Sequence, residues 1–594
     1  MGKKFLTFMK RNLPYLTIVF MVILIIISTF ITLSNSHALS KSQYFRRVLS
    51  CALEKYWDLK YGINVNDIDS NIVKYQNLFD VQRMEIYIVT NFSSEEIKGK
   101  TIITPLDLSD TLNRIYLNFY SNMKVNYVKL NDNVVEYTHQ DNLLMINSRN
   151  KVIKNDTFRI EIGYSGKPYN KGFDSFSFKN IEGNKYVYTL NEPNFASTWF
   201  PCKDLPSDKF ILNYFEITVP TGMWAVSNGI LVKRESLDSL YDVFGWKSNY
   251  QIATYLVSFA AGNYDYWKDS VILSDAKLLP LDYYTFPSYT ERAKKDWKKI
   301  PEMVKYFSNL IAEYPFSNEK YGMIMFGWND GAMEHQTITS IGYKLVTGEN
   351  KNELTIVHEL VHQWFGDAIT PKSWKDIWLN EGFATYGEVL WTEYTKGKEA
   401  AKNLLANLDI GNFSGTLYDP QGFIFGSTVY NKGAWVLHML RGVVGDSTFF
   451  KILSTYYDKY KFGNANTRDF KKVCEDVAGI DLTYFFDQWV FTGTGRPIYE
   501  YSYQTEDYVT IDSIPYFMLR LTIEQKQKDQ EVYKMPVQVT IVTEKEKNII
   551  TFFNSKRTQT FVQPIKGKLI SLEIDKDNYI LKSIKPLEDK KNKQ

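Results

Sequence analysis

Cysteine is almost missing from this chain. Cys51, Cys202 and Cys474 are the only three in 594 residues, too few for a disulfide framework to hold the fold together, even if the protein is exported. A dominant charge is missing too. The 70 basic residues are balanced by 67 acidic ones, so there is no electrostatic case for a nucleic-acid partner. No internal repeat and no low-complexity tract occurs, which excludes a repeat array.

What the chain has in quantity is aromatic side chains: 42 Tyr, 38 Phe and 13 Trp. They argue for large packed cores and apolar clefts and against disorder. The length is too great for one core, and about 150 residues per domain suggests three or four units. Residues 15–33 form one uncharged run of 19 residues behind Lys3, Lys4, Lys10 and Arg11. The run is longer than a signal-peptide core of about 7 to 15 residues and close to the roughly 20 that span a bilayer. An uncleaved transmembrane anchor within residues 1–40 is expected, with removal as a signal segment at Ser36-His37-Ala38 as the alternative. The basic residues before the run favour a cytoplasmic N-terminus. Either way the bulk of the chain is expected outside the cytoplasm, anchored to the membrane or exported.

After a linker over 41–78, residues 79–262 alternate with a period of two. Met84, Ile86 and Ile88 sit between Glu85 and Tyr87, which reads as a large β domain. Within it, residues 189–210 are dense in Pro, Asn, Asp and Ser and read as an ordered loop; by composition alone Glu192 is a solvated loop acid. Residues 263–496 turn helical in period, as over 289–316, with a strand at 321–326. The Gly-Ala-Met-Glu-His phrase that follows puts an acid and a histidine where an edge strand could line a cleft. Strand alternation returns over 497–583, and 584–594 is a charged tail with nothing to bury.

The chemistry concentrates in 355–388. His358, Glu359 and His362 form an HExxH among apolar Ile356, Val357, Leu360 and Val361, so the segment reads as a buried helix with three polar residues on one side. Burying them unpaired would cost several kcal/mol. Residues i and i+4 share a helix face, so both imidazoles can point at one zinc ion. HExxH alone also arises by chance. Eighteen residues separate His362 from Glu381, however, and a His, His, Glu set leaves the fourth tetrahedral position to water, as in a catalytic site. One carboxylate cancels only one of the two metal charges, so that water is acidified toward a pKa of about 7. Glu359 is then placed as general base.

Four phrases, HELVHQWFGD with WLNEGFATY, GAMEH, NEPNFASTWFPCKDLPSDK and YNKGAWVLHMLR, occur in an order that closely resembles the zinc aminopeptidase family of aminopeptidase N and leukotriene hydrolase. The resemblance covers roughly residues 80 to 580. It implies an α+β multidomain chain: a β-rich N-terminal domain, a thermolysin-like α/β catalytic domain and a C-terminal β-sandwich, behind one N-terminal transmembrane or signal segment. It implies one Zn²⁺ ion on His358, His362 and Glu381, with Glu359 as general base. Tyr430 would hydrogen-bond the tetrahedral intermediate. Glu334 and Glu192 would hold the free amine of a peptide substrate, Gly331 and Ala332 would pair with its backbone, and Met333 and His335 complete the substrate-binding phrase. His335 stands where the family commonly has Asn and could titrate near neutral pH. Many relatives also continue into a large helical domain that this chain lacks, so a more open cleft is expected. The implied activity is removal of a peptide's N-terminal residue. A zinc endopeptidase or an epoxide-type hydrolase on the same scaffold, or a non-catalytic binding protein, remain the alternatives.

Overall fold

The computed structural model describes residues 70–587 and Asp58, apart from 110–111, 149–152, 275, 330, 412 and 529–531. The expected membrane segment at 15–33, Cys51, most of the 41–78 linker and the charged tail fall outside the described residues. Among the described residues no helix is long and apolar enough to cross a membrane. The chain divides into two compact units, one of residues 61–391 with 450–477, the other of the remainder.

The first unit begins with a nine-stranded sheet. Its backbone is the antiparallel pair Phe79–Asn91 and Glu96–Asp107, and Phe79–Asn91 also pairs in parallel with Lys209–Pro220. The alternation read from the sequence is what the strand does: Met84, Ile86 and Ile88 are buried, with Glu85 and Tyr87 less so. A four-stranded sheet (Trp224–Ser227, Phe259–Gly262, Asn184–Thr189, Phe176–Ile181) and a three-stranded one complete this β-rich region. Residues 189–210 run as a largely irregular segment with one short 3-10 turn, Ala196–Thr198. That segment is buried, because Trp199 and Phe200 anchor it in the core.

The α/β part of the same unit is built on a five-stranded sheet in the order Asp265–Ile272, Leu278–Thr285, Tyr321–Phe326, Thr339–Gly342, Ala332–Met333. Tyr321–Phe326 lies at its centre between parallel neighbours and is buried at all six positions, the continuous apolar run expected of a strand covered on both faces. Ala332–Met333 is the edge strand. The helical pattern over 289–316 resolves into Thr290–Asp296 and Ile300–Leu310, the second started by Pro301 in its first turn, where its missing N–H costs nothing.

The second unit carries the helices Lys398–Leu408 and Gly433–Val444 and two sheets. One has four strands (Thr558–Lys566, Ile514–Gln525, Ile498–Ile511, Ser583–Pro586), the other three (Lys547–Asn554, Met535–Thr543, Leu569–Ile574).

Candidate zinc site and acidic cleft

The helix Glu353–His362 buries Ile356, Val357, Leu360 and Val361, which turns His358 and His362 together to one side. Their rings lie 4.7 Å apart between centroids, at 77°. Each ring is held from behind. His358 Nδ1 lies 2.9 Å from Glu388 Oε1, and His362 Nδ1 lies 3.1 Å from the Phe365 carbonyl. A carbonyl only accepts, so His362 Nδ1 is the donor, which leaves its Nε2 lone pair free to ligate. Gly366 makes the turn behind this bond. Its φ is +137°, and a Cβ there would stand 3.2 Å from His362 Nδ1.

Glu381 enters from the first turn of the helix Trp378–Lys396, an end that favours a carboxylate. Its Oε2 lies 3.2 Å from His358 Nε2 and 3.5 Å from His362 Nε2. Donors set about 2.0 to 2.2 Å from one tetrahedral ion would be about 3.3 to 3.6 Å apart. The ligating atoms of all three residues fall within 4.8 Å of one another. The donor set and its spacing therefore fit zinc.

Burial works against charge on each of these groups, and mutual attraction outweighs it. Glu381 is held down to about 2 by His362 and His358. Both histidines are pushed up by the facing carboxylates, Glu388 among those acting on His358. Glu359 goes the other way: burial first, with Glu334 and Glu381 adding repulsion, lifts it to about 8 against the pull of His358 and His362. A carboxyl in that range can both take and return a proton near neutrality.

Beside this cluster lie more acids. Glu334 follows the edge strand Ala332–Met333; its carbonyl accepts from Gln363 Nε2 at 3.2 Å. Gln363 Oε1 in turn accepts from Thr337 N at 2.9 Å and the Tyr314 hydroxyl at 3.1 Å. The residue that ends the zinc helix thus staples the acidic phrase to it. Glu192 is held through its neighbour Asn191, whose Nδ2 donates to the carbonyls of Val257 (2.6 Å) and Thr254 (3.2 Å). Glu192 is 5% exposed, not a solvated loop acid, and Glu334 is 3% exposed. In each, Oε1 has no hydrogen-bond partner in the protein. Burial raises the pKa of both; Glu334, Glu381 and Glu359 add to the rise at Glu192, and at Glu334 the nearby His362 opposes it.

Gly331 and Ala332 lie on the sheet edge: the Gly331 carbonyl accepts from Gly342 N at 3.0 Å, while Ala332 and Met333 pair with Ile341 and Ser340. Met333 is buried and Ala332 half-buried. His335 departs from expectation. It is fully buried, its Nδ1 is 2.8 Å from Ser340 Oγ, and burial pushes it down to about 3, so it stays neutral at physiological pH. Tyr430 belongs to the second unit, half-buried in the π-helical turn Thr428–Lys432. That turn is pinned by Lys432 Nζ on the Gly493 carbonyl at 2.5 Å and Asn431 Nδ2 on the Leu408 carbonyl at 3.0 Å. A one-turn π insertion is a frequent companion of functional residues.

Three contributors were not singled out from the sequence. Glu388, seven residues after Glu381 and so on the same helix face, carries a readable signal. Asp367, fully buried with both carboxylate oxygens lacking a protein partner, and Lys209, whose Nζ donates to the carbonyls of Asp367 (2.7 Å) and Ala368 (3.2 Å), each end one of the quoted phrases, but nothing in their sequence neighbourhood shows that the two meet.

Comparison with known proteins agrees with this geometry. Residues 82–256 match the peptidase M1 N-terminal domain and residues 295–489 the peptidase family M1 domain. A probable aminopeptidase 1 of Sulfurisphaera tokodaii is 25% identical over 80% of this chain and 61% of its own length. The human glutamyl aminopeptidase is 29% identical over 52% of this chain and 34% of its own. The chain thus spans less than two thirds of these relatives. An M1 zinc metallopeptidase from Deinococcus radiodurans shares the fold at a TM-score of 0.62 and 24% identity, over 69% of this chain and 93% of that one; a mutant of it has been solved bound to a Tyr-Ser-Ala substrate. Aminopeptidase A of Legionella pneumophila, in complex with aspartic acid, superposes at a TM-score of 0.73 with 16% identity, over 86% of this chain and 60% of that one. With both M1 regions matched in order over more than half of its length, and a zinc-competent His, His, Glu set inside the second, the chain belongs to peptidase family M1.

Proposed function

We propose that this protein is a zinc-dependent aminopeptidase that removes the N-terminal residue from peptides. One observation carries the reading: Glu192 and Glu334, both buried and each with an idle oxygen, stand within electrostatic reach of the His358, His362, Glu381 cluster in the same unit. A buried carboxylate oxygen without a donor is costly, and the ammonium at a peptide's N-terminus is a donor of opposite charge. Holding that ammonium close to the metal is what would direct cleavage to the first peptide bond.

In this reading His358, His362 and Glu381 hold one zinc ion, which when bound supplies a Lewis acid that polarises the scissile carbonyl and acidifies water. Glu359 takes the proton of the attacking water and returns it to the leaving amine. Gly331 and Ala332 present the sheet edge to the peptide backbone as an added strand, with Met333 and His335 behind it. For Tyr430 the resemblance alone gives a role, that of a phenol donating to the developing oxyanion, typically worth about 2.7 to 4 kcal/mol. The same reading extends to the architecture: a β domain over 79–262, a catalytic domain over 263–496 and a β-sandwich over 497–583. Residues 15–33 anchor the catalytic part outside the cytoplasm, which membrane fractionation with external protease would test.

The decisive assay sets one peptide with a free N-terminus against its N-acetylated form, with and without a zinc chelator. Cleavage of the free peptide alone, abolished by the chelator, is expected. Equal cleavage of both forms would replace the aminopeptidase reading with an endopeptidase on the same site.

A further inference from the structure

Directly after Glu334 the chain makes a turn that its own residues do not favour. Ile338 N donates to the His335 carbonyl at 2.9 Å, and the third residue of that turn, Thr337, has a φ of +66°. This is the left-handed position that a type II turn gives to glycine or asparagine, and a β-branched residue there is a genuine outlier. Among the described non-glycine residues of positive φ, most are Asn or Asp, and Thr337 is the one with a branched Cβ. Such a conformation persists only where its surroundings fix it.

The fixing bonds come from three separate parts of the unit. Gly229 N donates to Thr337 Oγ1 at 2.8 Å, and Asn228 Nδ2 donates to the Gln336 carbonyl at 2.8 Å. Lys320, 2% exposed, brings its Nζ to Thr337 Oγ1 and to the Thr337 carbonyl, both at 3.4 Å. The third part is Gln363, whose Oε1 accepts from Thr337 N at 2.9 Å while its Nε2 donates to the Glu334 carbonyl at 3.2 Å. A carbonyl only accepts and a backbone N–H only donates, so this amide has a single orientation. One side chain at the end of the zinc helix thus clips both ends of the segment from Glu334 to Thr337.

The same turn decides how Glu334 leaves the sheet. Met333 pairs with Ser340, so residues 334–338 are the whole connection between the edge strand Ala332–Met333 and its neighbour Thr339–Gly342. The hydroxyl is the part of Thr337 that repays the strain: without it, Gly229 N and the Lys320 ammonium, both buried, each lose a partner. We infer that Thr337 is a positioning residue for amine recognition, its hydroxyl holding the turn that aims Glu334. The inference rests on the aminopeptidase reading above.

Two hydroxamates separate the amine site from the metal, since phenylalanine hydroxamate carries a free amine and acetohydroxamic acid does not. Thr337→Val keeps the side-chain shape and loses the hydroxyl. It should raise the inhibition constant of phenylalanine hydroxamate about ten-fold, the lower end for a bond to a charged group, and leave that of acetohydroxamic acid and the zinc content unchanged. On a free peptide KM should rise with little change in kcat, the sign of lost ground-state binding. Thr337→Ser, which restores the hydroxyl, should return these values to those of the parent. If Thr337→Val does not fold, Thr337→Gly, which takes this φ without strain, carries the same comparison. Parental inhibition by phenylalanine hydroxamate in a variant without the hydroxyl would overturn the inference. So would equal weakening of both inhibitors, or a serine variant as weak as the valine one. Failure of the aminopeptidase reading shows itself differently: the parent would then bind phenylalanine hydroxamate no better than its N-acetylated form.

Discussion

Two groups of buried ionisable side chains share one unit and follow opposite plans. At His358, His362 and Glu381 the side chains are fixed from behind, by Glu388 and by the Phe365 carbonyl, and their ligating atoms converge within 4.8 Å. At Glu192, Glu334 and Asp367 it is the backbone that is fixed, through Asn191, Gln363 and Lys209, while carboxylate oxygens are left without a donor. Both arrangements put carboxyl groups in a dry place, where burial penalises their charged form. The first recovers that cost by fitting a resident ion. The second recovers it only when a cation arrives, which suits a ligand that must leave after every turnover.

The strongest way to break the contrast is to remove a convergent donor. His362→Ala should lose the metal and essentially all peptidase activity, well beyond the 10- to 100-fold typical of losing a group behind a ligand; zinc content by elemental analysis, beside the rate, checks it. Next comes the other cluster. Glu334→Gln should lower kcat/KM on free peptides by about 10- to 150-fold, the worth of a hydrogen bond to a charged group at 1.5 to 3 kcal/mol, with zinc content unchanged. A variant that instead loses zinc would erase the distinction between the two plans.

How much of this was legible in the residues differs between the clusters for a physical reason. His358, Glu359 and His362 lie on one helix face, and local periodicity alone brings them together. Glu381 needed its spacing and Glu388 sits at i+7 from it, still a helical relation. Glu192 reads as a solvated acid by composition, because its burial comes from Trp199, Phe200 and the Asn191 bonds to residues more than sixty positions away. Lys209 reaches carbonyls 158 and 159 residues along the chain, and no local pattern encodes such a contact. The sheets were legible in the alternation of Met84, Ile86 and Ile88; the break near Trp297 between two helices was not, because the helical spacing continues through it.

A milder test leaves the ligands alone and loosens what stands behind them. Glu388→Gln keeps the shape of the partner of His358 Nδ1 but removes its charge. Zinc affinity should fall about 10- to 100-fold, read by competition with a chelator, while activity at saturating zinc falls much less. If affinity were unchanged, the rigid backing would not be what sets the first cluster apart.

The smallest effect on activity is expected at His335, which lies beside Glu334 but in neither plan. Burial holds it down to about 3 from an ordinary 6.5, so it carries no charge over the pH range in which the enzyme would work. His335→Asn should therefore leave the shape of the activity profile between about pH 5 and 8 as it was. Its trace should appear in stability instead. Between these two values the unfolded chain takes up a proton that the folded chain refuses, so stability falls as the pH drops below about 6.5. At pH 5 that contribution is about 2 kcal/mol. Thermal melts at pH 7 and pH 5 should show the variant losing less on acidification than the parent. A shifted activity profile instead would mean that this histidine gains a proton within the acidic cleft and belongs to the amine site.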